Sequence, residues 1–377
     1  MVFVKAMTRS FRLSRPSTGL RESLEVHRVL RSGFLTQGPK VREFEEQLGS
    51  FCGSSHVSAM SSATTGLHIA LHALGIGKGD EVIVPAFSFP ATANVVEQVG
   101  ATPVMVDILE GTWNINPEGV RDALSSRTKA IMPVHAFGLL ANMDELTSIA
   151  KLAEVPLIED AACALGALSS LGYAGAIGDI GVFSFHPRKT ITTGEGGAVL
   201  TNNPEVHERI QVLRSHGAIR GPLYLEFVDA GFNYRMSDVQ AALGVIQMRK
   251  LDKLLQSRRK MADWYSKELE NIQGVEPPIG FASEHSFQSY VVAILDADRD
   301  ELIRKLREEK VEVTLGTYGM HLQPYFSSKY GLSEKDFPVS TYAHRRLLTL
   351  PMDPRMGKSG VRTVVTKLRK AIEELGG

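Results

Sequence analysis

The chain has 377 residues, with 42 Lys plus Arg balanced by 42 Asp plus Glu, so its formal net charge is zero and it lacks the basic surplus that a nucleic-acid binder uses to neutralise phosphates. An apolar fraction of 43% with 22% charged residues is ordinary globular composition, and the length exceeds what one hydrophobic core usually supports, so two domains are expected. Cys52 and Cys163 are too few for a disulfide framework and are not arranged as CxxC, which suits a reducing, cytoplasmic compartment. No apolar stretch approaches bilayer length, so a soluble chain without membrane partners is expected.

In chain order, the first segment carries Lys5, Arg9, Arg12, Arg15 and Arg21 with no acid before Glu22. It faintly resembles a transit peptide, but a solvated arm over residues 1–30 is the favoured reading. Val41, Phe44 and Leu48 then recur at helical spacing, with Gly49 as a plausible stop. Leu67, Ala70, Leu71 and Leu74 form a second helical stripe, begun by Ser61, Ser62, Thr64 and Thr65. From about residue 80 to 202, the short runs EVIVP, TPVMVD, KAIMPV, VPLIED, DIGVFSF and GAVLT alternate with helical stretches. Their nearly continuous apolar character suits strands buried on both faces of a mostly parallel sheet, hence an α/β fold. A long, mostly unbroken helix is expected from Asp238 to Asn271, capped by Ser237 or Asp238. The remainder reads as strand, helix, short strand and terminal helix, a smaller α+β unit. These patterns divide the chain into a large domain over 31–245 and a small one over 246–377.

Several motifs fail on inspection. His68 and His72 have the spacing of a zinc-binding HExxH, but Ile69 stands where the glutamate belongs, so no metal is expected. There is no GxxxxGK[ST] and no GxSxG, and the TGEGGAV run precedes a strand instead of following one, the wrong order for a dinucleotide fingerprint.

The promising constellation begins at VPLIED, where a buried strand delivers Glu159 and Asp160 to the carboxyl end of the sheet, the usual ligand edge of open α/β folds. Lys189 follows another strand in GVFSFHPRKTITTGEGG. A lysine at a strand end near a buried acid suggests a Schiff base to pyridoxal phosphate, the acid keeping the pyridine nitrogen protonated. A lone lysine would more often be a surface residue. The helix opening at Ala63 and Thr64 offers free N–H groups for a phosphate, although capping by Ser62 or Thr64 explains that segment about as well. Phe87 or Phe89 in VPAFSFPATAN could stack on a planar ring, while core packing is the ordinary fate of an isolated Phe.

SFHPRKTITTGEGG, IEDAACALGA, VPAFSFPATAN and GFNYRMSDVQAALG together resemble the DegT/StrS-type sugar-nucleotide aminotransferases, which are fold-type I pyridoxal-phosphate enzymes. The resemblance runs from Ser32 to Pro354 and implies a large domain with a mostly parallel sheet plus a smaller α+β domain. It implies Lys189 as the Schiff-base lysine and proton carrier, Asp160 as pyridinium partner and Phe89 as the stacking ring. Ala63, Thr64 and Ser184 match the phosphate cup. Asn233 corresponds to a residue reaching the phosphate from a neighbouring subunit, hence a homodimer with composite sites. The sequence departs from the family pattern in three places. Cys163 replaces a Gln or His beside the cofactor hydroxyl, Ala63 replaces a Gly, and Thr317 replaces a His in the sugar-nucleotide segment that keeps Tyr318 and His321.

The resemblance implies pyridoxal 5'-phosphate as cofactor and transfer of an amino group from an amino acid, glutamate by family habit, to a keto-sugar nucleotide. Two rivals share the fold: a sugar dehydratase, in which a histidine replaces the lysine, and a non-catalytic regulator. Lys189 argues against the first, and the complete set of lysine, acid and cup against the second. Arg188 and Arg235 are candidates for the substrate diphosphate, with pairing to a surface acid as the plainer alternative for each.

Overall fold

A computed structural model of the chain describes residues 10–280 and 283–376. The six apolar runs all form strands, and His56–Met60 adds another. We label them β1 (His56–Met60), β2 (Glu81–Pro85), β3 (Phe87–Ser88), β4 (Thr102–Val106), β5 (Thr128–Ile131), β6 (Ile158–Asp160), β7 (Ile180–Ser184) and β8 (Gly197–Thr201). β4-β2-β5 and β6-β7-β8-β1 are joined by parallel bridges from Ile131 to Leu157 and from Val134 to Asp160, making one seven-stranded sheet. β8 is antiparallel to both its neighbours, and the other six strands run one way. Val82, Ile83, Val84, Val182, Phe183 and Leu200 are fully or almost fully buried, as strands covered on both faces require.

Helices cover the sheet. We label α1 (Leu20–Ser32), α2 (Pro39–Cys52), α3 (Ala63–Ala73) and α4 (Ala91–Gln98). Gly49 does not stop α2. Instead Gly53, with φ +75, takes the left-handed position after the helix and donates its N–H to the Gly49 carbonyl at 2.8 Å. The long helix expected over 238–271 is broken into Asp238–Met248 and Leu251–Leu269. Long-range pairs override helix propensity there: Arg249 reaches Glu43 at 2.9 Å and Lys250 pairs with Glu22 of α1, while Leu251 turns into the core.

The second sheet is antiparallel, in the order Val275–Glu276, Tyr290–Ile294, Leu347–Leu350 and Thr314–Leu315. Its core includes Tyr265, Val292, Leu302 and Leu368, and Phe11 inserts into it. The segment expected to be solvated therefore contributes a buried ring, and Glu22, Glu25 and Val29 of α1 are buried as well. Lys5 and Arg9 lie outside the described residues. No described helix is long and apolar enough to cross a membrane.

Candidate active site

The site is assembled at the carboxyl ends of β6 and β7. β6 ends in two carboxylates that alternate across the strand. Glu159 is fully buried and accepts the N–H groups of Gly175, Ile177 and Gly178 at 2.7–2.8 Å. It also accepts from His135 Nε2 at 2.8 Å, while His135 Nδ1 takes the Ala141 N–H at 3.1 Å, which assigns the ring proton to Nε2. Glu159 is thus fully used in holding the loops that follow β5 and β6.

Asp160 is only 6% exposed and differently supplied. Its Oδ2 accepts from Thr92 Oγ1 at 2.9 Å and its Oδ1 from the Ala162 N–H at 3.2 Å. No cation lies within ion-pair distance among the described residues. Burial pushes its carboxyl above the ordinary value, against the opposing pulls of Thr92, the Ala162 N–H, Lys189 and His135. A carboxylate accepts about four hydrogen bonds, so this one keeps capacity for a cationic N–H donor.

Lys189 follows the turn after β7, and its Nζ donates to Cys163 Sγ at 3.0 Å. Cys163 stands three residues after Asp160, so acid, thiol and amine converge on one rim. The lysine loop is clamped from the second sheet's side: Gln288 Nε2 donates to the Arg188 carbonyl at 2.5 Å, and Gln288 Oε1 accepts from Thr190 Oγ1 at 3.2 Å. Cys52, by contrast, is buried, and desolvation raises its thiol far above the ordinary value.

α3 begins against the same strand ends. Ser62 is its N-cap, accepting the Thr65 N–H at 3.1 Å while Thr65 Oγ1 accepts the Ser62 N–H at 3.1 Å. The N–H groups of Ala63 and Thr64, at the first two helical positions, have no intrahelical acceptor. Ser184, the last residue of β7, pairs with Gly197 of β8. A Cβ on Gly197 would lie 2.5 Å from the Ala63 nitrogen, so glycine is what lets the helix start sit on the strand. Ala63, Thr64 and Ser184 are therefore brought together.

Phe87 is core, 1% exposed, whereas Phe89 is 65% exposed and free to cover a ring. β3 pairs with Tyr318–Gly319, setting Tyr318 opposite Ser88, and the Phe89 and Tyr318 rings lie edge to face at 6.4 Å. His321 is fully buried, with Nε2 2.8 Å from Thr341 Oγ1 and its ring against Phe337, and burial lowers its pKa. It lies beneath the rim. The Tyr234 carbonyl accepts the Ser61 N–H at 2.8 Å, which runs the GFNYRMSD segment beside the start of α3, yet Asn233 itself is exposed and bridges to Ser215. Arg235 reaches Ser215 Oγ at 3.1 Å, and neither Arg235 nor the exposed Arg188 has an acidic partner among the described residues.

Thr92, His135 and Gln288 were not expected at the site. For Thr92 the available signal was a hydroxyl one helical turn beyond Ser88 in SFPAT; for Gln288 the sequence offers none.

This arrangement of buried acid, strand-end lysine, helix start and exposed ring coincides with a family model. Residues 16–369 match the DegT/DnrJ/EryC1/StrS aminotransferase family. The chain belongs to this family. It is 38% identical to an uncharacterised protein of Methanocaldococcus jannaschii, covering 96% of this chain and 97% of that one. It is 35% identical to the spore coat polysaccharide biosynthesis protein SpsC of Bacillus subtilis, covering 96% of each chain. Among solved structures, Streptococcus pneumoniae Spr1654, provisionally designated a sugar aminotransferase, superposes in its PMP-form with a TM-score of 0.93 at 27% identity, over 97% of this chain and 98% of that one. Its PLP-form gives 0.92. The fold is thus that of the pyridoxal-phosphate aminotransferases, and the cofactor is pyridoxal 5'-phosphate. The residues present fit that group: Asp160 lacks a cationic partner among the described residues, Lys189 presents an amine on the same rim, and the start of α3 has free N–H donors.

Proposed function

We propose that this aminotransferase moves an amino group from an amino acid, glutamate as the first candidate, to a keto-sugar nucleotide, forming an amino-sugar nucleotide. The observation that carries the proposal is the pairing of Asp160, a buried carboxylate with no cationic partner among the described residues, with the Lys189 amine on the same rim. Bound pyridoxal phosphate supplies an electron sink for the carbon that loses or gains a proton. Lys189 would anchor the cofactor and hold and move the proton at the donor carbon. Asp160 holds the ring nitrogen protonated. Phe89 would cover the cofactor ring, Cys163 would lie near its hydroxyl, and the N–H groups of Ala63 and Thr64 with the Ser184 hydroxyl would hold the phosphate.

The sugar is supported by the designations of SpsC and Spr1654, and the nucleotide by two cations that have no acidic partner among the described residues, Arg188 and Arg235. In this reading Tyr318 touches the substrate, and His321 supports that segment through Thr341. A homodimer is supported by the apolar residues left exposed on α1 and on the hairpin of Ala218–Arg220 and Leu225–Phe227, among them Leu20, Leu30, Leu223 and Phe227. Asn233 then completes the partner's phosphate site. The direct test adds glutamate to the cofactor-loaded protein and follows the visible absorption of the lysine-bound cofactor. Loss of that band is expected. Its persistence with glutamate and every other amino acid tried would overturn the proposal.

A further inference from the structure

Ser88, Thr92 and Asp160 form an unbroken buried hydrogen-bonded chain. Ser88 is 3% exposed, Thr92 is fully buried, and their hydroxyls are 2.9 Å apart, as are Thr92 Oγ1 and Asp160 Oδ2. A threonine hydroxyl has one proton. Against an ionised Asp160 that proton is committed to Oδ2, so Ser88 must donate to Thr92, and both O–H dipoles point at the carboxylate. Such a chain polarises cooperatively and stabilises the charge it points to. Ala162 fixes the other oxygen through its backbone, which orients the carboxylate plane from two sides. Ser88 also lies opposite Tyr318 in the short strand pair, so the relay begins directly beneath the rim.

We propose that Thr92 is a positioning residue for the cofactor-binding acid: the Ser88–Thr92–Asp160 relay keeps Asp160 ionised with no cation in ion-pair contact among the described residues and aims its free lone pairs at the cofactor ring nitrogen. The proposal rests on the assignment of Asp160 made above. Thr92 touches neither cofactor nor substrate in this account. The other ionisable groups acting on Asp160 are Lys189 and His135, the latter committed to Glu159 on the opposite face of the strand.

The experiment compares Thr92→Val, which keeps the side-chain outline without the hydroxyl, Thr92→Ser, which restores it, and Asp160→Asn. The dissociation constant for pyridoxal phosphate and the acid limb of its pH dependence are read by absorption, and folding of each apoprotein by thermal melting. We expect Thr92→Val to weaken cofactor binding by about 10- to 100-fold, the scale of one hydrogen bond to a charged group. Its acid limb should move to higher pH, because Asp160 protonates more readily without the donor, and Thr92→Ser should return both readouts to near wild type. If Thr92→Val matches wild type in affinity and acid limb while Asp160→Asn does not, the relay is refuted and the assignment of Asp160 stands. If Asp160→Asn also binds the cofactor normally, the assignment fails with it. Should Thr92→Val fail to fold, Ser88→Ala decides: a smaller shift in the same direction supports the relay, and an unmoved acid limb refutes it.

Discussion

Lys189 Nζ donates to Cys163 Sγ at 3.0 Å, so the thiol and the amine proposed to anchor the cofactor share one small volume. Cofactor loading must change access to that thiol. Iodoacetamide should alkylate Cys163 in the apoprotein, and pyridoxal phosphate should slow that labelling by about tenfold or more, on the scale of ordinary ligand protection. Cys52, buried in the core, should stay unlabelled throughout. Peptide mass spectrometry reads both sites, and equal labelling of Cys163 with and without cofactor would separate it from the cofactor pocket.

Asp160 carries a stability cost in the empty protein. Burial raises its carboxyl above the ordinary 3.8, so the folded state binds this proton more tightly than the unfolded state. The group's contribution therefore worsens as pH climbs from 3.8 through the folded value, and the full penalty is present above it. Asp160→Asn should accordingly melt at or above the wild-type temperature at pH 7 without cofactor, the gap closing in acid. With cofactor the order should reverse. A lower apo melting temperature for the variant at pH 7 would contradict this.

The proposed composite sites make a sharp prediction about mixed dimers. Lys189→Ala and Asn233→Ala should each abolish or strongly reduce turnover alone. If Asn233 serves the partner's site, subunit exchange between the two variants regenerates one intact site per heterodimer, or about a quarter of wild-type activity after random mixing. If Asn233 serves its own chain, mixing restores nothing.

Much of this was legible in the sequence, and the exceptions share a cause. Buried parallel strands are written as continuous apolar runs, so EVIVP, VPLIED and GVFSF announced both the sheet and the edge where Asp160 and Lys189 emerge. α3's start was marked by Ser62 and the hydroxyls around it, although the same residues also serve as an ordinary cap. The missing pieces are long-range. Thr92 meets Asp160 across 68 positions and Gln288 meets the Arg188 carbonyl across 100, and no local pattern encodes such closures. The split after Met248 is similar, since Lys250 leaves helical continuity to reach Glu22, 228 positions earlier. His321 shows the converse limit: a residue type suited to a substrate contact is buried on Phe337 and Thr341 instead.

In the proposed reaction Lys189 and Asp160 serve the cofactor-borne transfer of an amino group from an amino acid to a keto-sugar nucleotide. The most direct test incubates the cofactor-loaded protein with nitrogen-15 glutamate and a panel of keto-sugar nucleotides, then follows the label by mass spectrometry. Nitrogen-15 is expected in one sugar nucleotide, with a fall of at least roughly 10²- to 10⁴-fold in its formation with Lys189→Ala, the usual contribution of a positioned proton carrier. Label that leaves glutamate yet enters no sugar nucleotide in the panel, or transfer undiminished by Lys189→Ala, would contradict it.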